Sequence, residues 1–365
     1  MSIQSTHRPG RPHPALSRRA LLAGTAAGAV GLSLAACGKG KKAGSQADSK
    51  TVTVVTHDSF HVSENLQKAF TSETGYTLKV ATSGDAGALV NKLVLTKDAP
   101  LGDAVFGIDN TYATRALDQG VIDTSATVTL PKGAESYVVA DTPALAPIDV
   151  GDVCLNIDTG YFTGKGLTPP ATFEDLTKPE YKGLLVAINP TNSSPGMAWL
   201  LATIGHFGAG SFADYWKQLM ANGARIAEDW SAAYETDFSG SGKGTYPIVV
   251  SYASSPSFTV SKDKSSSTTS ALLDTAFRQV EYAGVLKGAA NPEGGKAFVT
   301  WMLSKAVQED IPGQMYMYPV LPDAALPEAL TKFGPLSKSP VKVEPKEITT
   351  HREEWLNTWT EAVGK

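Results

Sequence analysis

The sequence predicts an α/β protein of two lobes, each a mostly parallel sheet flanked by helices, with a ligand cleft between them. Three observations carry that expectation. The chain has 365 residues, enough for two domains at about 150 residues each. Short β-branched runs alternate with segments of helical spacing, the pattern of parallel strands joined by crossover helices. The alternation begins again near Val150 without a detectable sequence repeat. Gly and Pro, at 34 and 22 residues, are near average usage, which excludes collagen-like and low-complexity chains.

The first residues stand apart from this body. Arg8, Arg11, Arg18 and Arg19 precede an apolar and small-residue run from Ala20 to Ala36, interrupted only by Thr25 and Ser33. A basic start, an apolar stretch and a small-residue end predict a signal peptide over residues 1–36, and hence export. The run is short for a bilayer span and rich in Ala and Gly, so a permanent membrane helix is not expected. It ends in Leu34-Ala35-Ala36-Cys37-Gly38, which resembles a lipobox. Cys37 would then carry lipid and anchor the mature protein to the outer face of the cell membrane. The Arg18-Arg19 pair leaves both the general and the twin-arginine export routes open. Residues 37–50, with their Gly, Lys, Ser and Ala, read as a flexible tether. With Cys37 lipidated, Cys154 has no partner for an intramolecular disulfide, and in its apolar setting it reads as a small buried hydrophobe.

In the body, Thr51 to Val55 reads as a strand that ends at Thr56-His57-Asp58-Ser59, and helical spacing follows from Asn65 to Thr71. Tyr76 to Ala81 is a second strand and Ala88 to Leu95 a helix. Ala104 to Ile108 is a third strand, ending in Asp109-Asn110, with a helix from Tyr112 to Gln119. The second unit offers strands at Leu184 to Ile188 and Ile248 to Ser251, and helices at Ser194 to Ile204 and Phe212 to Ala221. Lys262 to Ser270 reads as a solvated loop, Pro292 to Leu303 as a helix, Pro312 to Pro319 as irregular, and Glu353 to Val363 as a closing helix. Open α/β sheets place ligands at the carboxyl ends of their strands. His57 to Phe60, Ser83 to Ala86 and Asp109 to Thr111 are therefore the first places to look.

The formal net charge is −4, and the proposed signal peptide holds four arginines and no acid, so the mature body is more acidic still. Net acidity argues against nucleic acid or an anionic membrane as the main partner. Gly240-Ser241-Gly242-Lys243-Gly244-Thr245 looks like a phosphate-binding loop, but Asp237 stands where a Gly is required and Gly244 where Ser or Thr is required. No nucleophile elbow, zinc-protease motif or paired C-x-x-C occurs, so no catalytic residue and no metal ligand is assigned. His57 and His61 stand four apart, yet their segment reads as a strand end rather than a helical face.

Three stretches suit binding better. In Asn189-Pro190-Thr191-Asn192-Ser193-Ser194-Pro195-Gly196, hydroxyls precede a Pro near a helix start, which serves either plain capping or an acceptor held on free N–H groups. Asp229-Trp230-Ser231-Ala232-Ala233-Tyr234 sets two rings beside acids, for core packing or for a cation. Ser251-Tyr252-Ala253-Ser254-Ser255-Pro256 adds an aromatic residue at a strand end. Together they suggest a cleft for a flat ligand, with acids that suit a cation.

Along these segments the chain resembles the thiamine-binding periplasmic proteins, the solute receptors of bacterial ABC importers. The markers run from about Val52 to Trp359: Asp58-Ser59-Phe60, Gly107-Ile108-Asp109-Asn110, Asn189-Pro190 with Ser193 to Gly196, Trp230 to Tyr234, Ser251-Tyr252 with Ser255-Pro256, and Met317-Tyr318-Pro319-Val320. The resemblance implies a periplasmic-binding-protein fold, with residues 51–147 and about 255–315 in one lobe and 148–254 and about 316–365 in the other. It implies a monomer that closes over thiamine as transported ligand, with no cofactor and no chemical step, and that delivers it to a membrane permease. Carried across, the ligand contacts point to Asp85 as carboxylate partner, Ser193 as donor at the helix start, and Trp230 and Tyr252 as stacking rings. His57, Asp58, Asp109, Ser194, Tyr234, Phe258 and Tyr316 complete the expected site. The chain departs from the family with His57 for Tyr, Phe258 for Tyr, Tyr316 for Trp and Thr191 for Arg. A receptor for a polyamine or an organophosphonate is the alternative within the class. An extracytoplasmic enzyme is the alternative outside it, and would need a nucleophile and base that the four histidines after Cys37 do not visibly supply.

Overall fold

The β-branched run Thr51–Thr56 forms β1, and its last three residues are buried. The computed structural model describes residues 50–241 and 243–365. The expected signal peptide, the lipobox Cys37 and the tether up to residue 49 lie outside the described residues. After β1 come α1 (Glu64–Thr74), β2 (Thr77–Thr82), α2 (Ala86–Leu95), β3 (Ala104–Asp109) and α3 (Ala113–Asp118). A long strand β4 (Leu145–Asp158) leads to α4 (Thr159–Lys165), β5 (Leu185–Ile188), α5 (Ser194–Phe207), α6 (Phe212–Ala221), β6 (Arg225–Ala227) and β7 (Ile248–Tyr252). The chain closes with β8 (Thr269–Val285), α7 (Pro292–Met302), α8 (Lys305–Met315), β9 (Tyr318–Pro319), α9 (Glu328–Phe333) and α10 (Pro345–Val363).

Among the described residues the strands make one sheet in the order β2-β1-β3-β8-β4-β7-β5-β6, with β9 paired to β4. Its two ends are parallel, as the alternation predicts: β1 pairs parallel with β2 and β3, and β5 with β6 and β7. The middle is antiparallel, because β8 pairs with β3 and β4, and β4 with β7. The long strands β4 and β8 run through both halves and join them. Near-complete burial of β4, and of β8 from Thr275 onward apart from the half-buried Arg278, removes the alternation that marks a half-exposed strand, so the sequence did not reveal either as one long strand.

Local signals mark several helix starts. Asp85 caps α2 by accepting from the Ala86 N–H at 2.6 Å, and Ser193 caps α5 with Pro195 in its first turn. The expectation of an irregular Pro312 to Pro319 is corrected: α8 runs on to Met315 with Pro312 inside it. The lost N–H at Pro312 is offset by burial of Val307, Gln308, Ile311 and Pro312, and Gln308 donates to the Ile148 and Met302 carbonyls at 2.8 and 3.0 Å. The aromatic weight of the second half becomes a core in which Trp216 meets Trp199 and Trp359 edge to face, at 5.2 and 5.6 Å. Among the described residues no helix is long and apolar enough to cross a membrane.

Candidate functional site

The carboxyl ends of the parallel strands converge on a cavity of about 380 Å³, within the usual range for small-molecule sites. The turn after β1 supplies His57, Asp58 and Ser59, and the start of α2 supplies Asp85 and Ala86. The start of α5 adds Ser194 and Pro195, the segment after β6 adds Trp230, Ser231 and Glu235, and β7 adds Tyr252. Glu281 of β8 and the stretch Gln314 to Met317 at the end of α8 complete the wall. Four carboxylates line the cavity, with no Lys or Arg among the lining residues.

His57 is buried against Phe106, with ring centroids 5.4 Å apart, and its Nε2 lies 3.3 Å from Glu281. It can sit there because Gly107 of β3, at φ +97°, has no Cβ to collide with the imidazole. Burial pulls the His57 pKa down, but Glu281, helped by Asp85 and Asp58, more than reverses this and holds it above its ordinary value.

Asp85 works between the two halves of the sheet. Beyond its cap, its carboxylate accepts from the backbone N–H groups of Ser194 and Trp230, both at 3.3 Å, and from the Ser193 hydroxyl. Burial still raises its pKa, against the downward pull of these donors. Nearby, the Ala88 N–H donates to the Asn192 carbonyl at 3.1 Å, and the Tyr112 hydroxyl to the Pro190 carbonyl at 3.1 Å. This approach needs Gly87, where a Cβ would lie 2.6 Å from the Asn192 backbone. Asp85 is thus a clasp as well as a wall residue.

The opposite wall is aromatic. Trp230 stacks on Tyr234 at 5.0 Å and 11°, and donates through its indole N–H to Ser251 at 3.0 Å. The π-helical turn Ala232–Asp237 follows directly, a widened turn of the kind that often marks a functional site. Tyr252 donates its hydroxyl to Gln279 at 3.3 Å, and burial raises its pKa well above the ordinary value. Tyr316, in the left-handed region at φ +63°, turns toward Trp230 at 6.5 Å.

Of the expected residues, His57, Asp58, Asp85, Ser194, Trp230, Tyr252 and Tyr316 therefore line one cavity. The other four stand behind it. Tyr234 backs Trp230, Phe258 packs edge-on against Tyr316 at 3.7 Å and is 40% exposed, and Ser193 caps α5. Asp109 is fully buried beneath the wall, where it accepts from the Thr111 N–H at 2.9 Å and from the Ser194 hydroxyl. Burial brings it to about 6, against the opposing pull of Ser194 and Thr111. Sequence reasoning missed Glu281, an acid in the middle of a buried strand with no motif around it, and Glu235, which follows the Trp230 to Tyr234 segment directly. His57 and His61 lie in a loop, and among the described residues no group of three or more His, Cys, Asp or Glu is placed to hold a metal ion.

The comparisons with known proteins agree with this architecture. The thiamine-binding periplasmic proteins of Salmonella typhimurium and Escherichia coli are each 27% identical over 326 residues, covering 86% of this chain and 94% of theirs. A solved periplasmic thiamin binding protein has a TM-score of 0.75 at 25% identity, covering 86% of this chain and 96% of its own. Iron-bound HitA from Pseudomonas aeruginosa, at 20% identity and a TM-score of 0.64, covers 86% and 99% and shares the fold. The fold is thus the two-lobed one of periplasmic binding proteins, with a solute-binding rather than an enzymatic family around it. The family model for bacterial extracellular solute-binding proteins matches residues 103–334, and the chain belongs to that family.

Proposed function

We propose that this receptor captures thiamine, or a close derivative, and delivers it to the permease of an ABC importer. The observation that carries the reading is the cavity wall, with Asp58, Asp85, Glu235 and Glu281 set against Trp230 and Tyr252 and no basic side chain except His57. A permanently cationic thiazolium and a flat pyrimidine call for carboxylates and ring faces together. Relatives that carry thiamine binding in their names support the choice of ligand. An organophosphonate would require more basic groups than the single His57 of this wall, which is already paired with Glu281. A polyamine fits the carboxylates and is the second reading.

In this reading Trp230 and Tyr252 stack on the ligand, and Asp85 and Glu281 supply charge. Asp58, His57, Ser194 and Tyr316 shape the wall, while Ser193, Asp109, Tyr234 and Phe258 hold those groups in place. The lobes divide where β4 and β8 cross, near Asp149 and Glu281. In place of the expected assignment of residues 255–315 to the first lobe, we put residues 255–277 with the second, a division supported by the pairing of Thr269 to Leu272 with the far end of β4. The protein acts as a monomer, anchored through Cys37. Cys37→Ser should move it from the membrane fraction to the soluble exported fraction, and a variant that stays with the membrane would exclude the lipid anchor. Mass spectrometry of the small molecule released on denaturing the purified protein tests the ligand: thiamine is expected, and a polyamine would replace the first reading by the second.

A further inference from the structure

Behind the cavity floor lies an acid that the ligand reading does not use. Asp149 of β4 and Glu281 of β8 are opposed across antiparallel strands. Asp149 is 0% exposed and Glu281 5%, and only Glu281 reaches the cavity. Both Asp149 oxygens are buried and, among the described residues, accept no hydrogen bond from a backbone or side-chain donor. The polar group they meet is the Glu281 carboxyl. Two acids in contact away from water do not both ionise, because a single proton between them turns repulsion into a hydrogen bond. Burial, reinforced by the Glu281 charge, holds the Asp149 pKa well above the ordinary carboxylate range.

The neighbouring elements present few charges to this pair. The turn after β1 brings His57 and Asp58, with His57 3.3 Å from Glu281. The start of α2 brings Asp85, the end of β3 brings Asp109, and β7 brings Tyr252. Along β4 and β8, Asp152 is bound to Arg278, and β9 places Pro319 opposite Asp149.

We propose that Asp149 and Glu281 share one buried proton in the unliganded receptor, and that a cationic ligand entering beside Glu281 expels it to solvent. The inference rests on the cation reading of the cavity. Positive charge enters as a proton leaves, so the buried charge of the closed site stays nearly constant. Affinity for the cation then rises with pH, by at most about tenfold per unit for one proton. Asp149→Asn keeps the shape but has no proton to lose, and its affinity should be flat over the same range.

Two measurements on the mature protein decide this. Infrared spectroscopy of the unliganded protein at neutral pH should show the C=O stretch of a protonated carboxyl group, and Asp149→Asn should lose it. Calorimetry with thiamine in buffers of different ionisation enthalpy should show proton release in the wild type and in His57→Gln, and none in Asp149→Asn. If Asp149→Asn does not fold, Glu281→Gln replaces it, since an amide there donates to Asp149 without a proton to lose. The proposal is overturned if the protonated-carboxyl band is absent, or if thiamine binds with the same proton release in the variant as in the wild type. Absence of any thiamine binding would instead overturn the ligand reading, and the infrared band alone would then decide the shared proton.

Discussion

The two walls of the cavity occupy equivalent places in the sheet and differ in chemistry. On one side the ends of β1 and β2 lead to His57, Asp58 and Asp85; on the other the ends of β6 and β7 lead to Trp230 and Tyr252. Both are strand carboxyl ends, where α/β sheets gather ligands. The first wall holds charge, from the buried His57 to the exposed Asp58, and the second offers flat faces backed by Tyr234 and Ser251. A ligand held by only one wall would gain either charge or stacking. Asp85 makes the walls interdependent, because its carboxylate accepts directly from the backbone of Ser194 and of Trp230.

Asp85→Asn is the most severe way to break this division, since it removes charge from one wall and the clasp to the other. A loss of about a hundredfold in thiamine affinity is expected, or ~2.7 kcal/mol. Calorimetry on the folded variant measures it, and an unchanged affinity would remove Asp85 from both roles. Trp230→Ala takes away one ring face and leaves the charged wall intact. About tenfold weaker binding should follow, ~1.4 kcal/mol, in keeping with a desolvated cation over a ring.

The phosphates of thiamine sharpen the comparison by adding negative charge to a ligand that faces carboxylates. Among the described residues no Lys or Arg lines the cavity, and the Thr191 hydroxyl already donates to Asn189 at 2.7 Å. Thiamine should bind at least as tightly as its monophosphate, and the diphosphate weakest, by about fivefold relative to thiamine. Titration of all three at one ionic strength is the check, and tightest binding of the diphosphate would contradict the acidic character assigned to this wall.

The smallest effect concerns stability. His57 has a raised pKa in the fold, so its pairing with Glu281 stabilises fully below the unfolded value of about 6.5 and fades as pH rises through the folded value. The difference in unfolding free energy between wild type and His57→Gln should therefore shrink from about pH 6 to about pH 9. Denaturant titrations at several pH values measure this, and a difference that grows with pH would mean that burial outweighs the neighbouring acids.

Local chemistry made much of this protein legible. The β-branched run of β1, the apolar run of β3 and the Ser193 with Pro195 announce their own elements, because caps and periodicity act over a few residues, whereas the cap at Asp85 emerged only in the structure. The aromatic residues Trp230 and Tyr252 were visible as ring-bearing segments, while Tyr316 was named through the family resemblance alone. Their gathering into one wall was an expectation from resemblance, because segments so far apart in sequence carry no local sign of contact.

The sequence by itself determined the alternation of strands and helices, the acidic balance and the strand-end loops that line the cavity. Only the tertiary structure decided that β4 and β8 run as single strands through both halves, since burial of β4 and of the later part of β8 on both faces erases the period that identifies a strand. Only it decided that Asp85 would bridge the walls and that Asp109 would stand behind Ser194 rather than in the cavity. Glu281 and Asp149 lie 132 positions apart in sequence and become partners solely through the antiparallel register of β4 and β8. Side-chain charge is written in the sequence, but the contact that turns two acids into a proton-sharing pair exists only once the strands have paired.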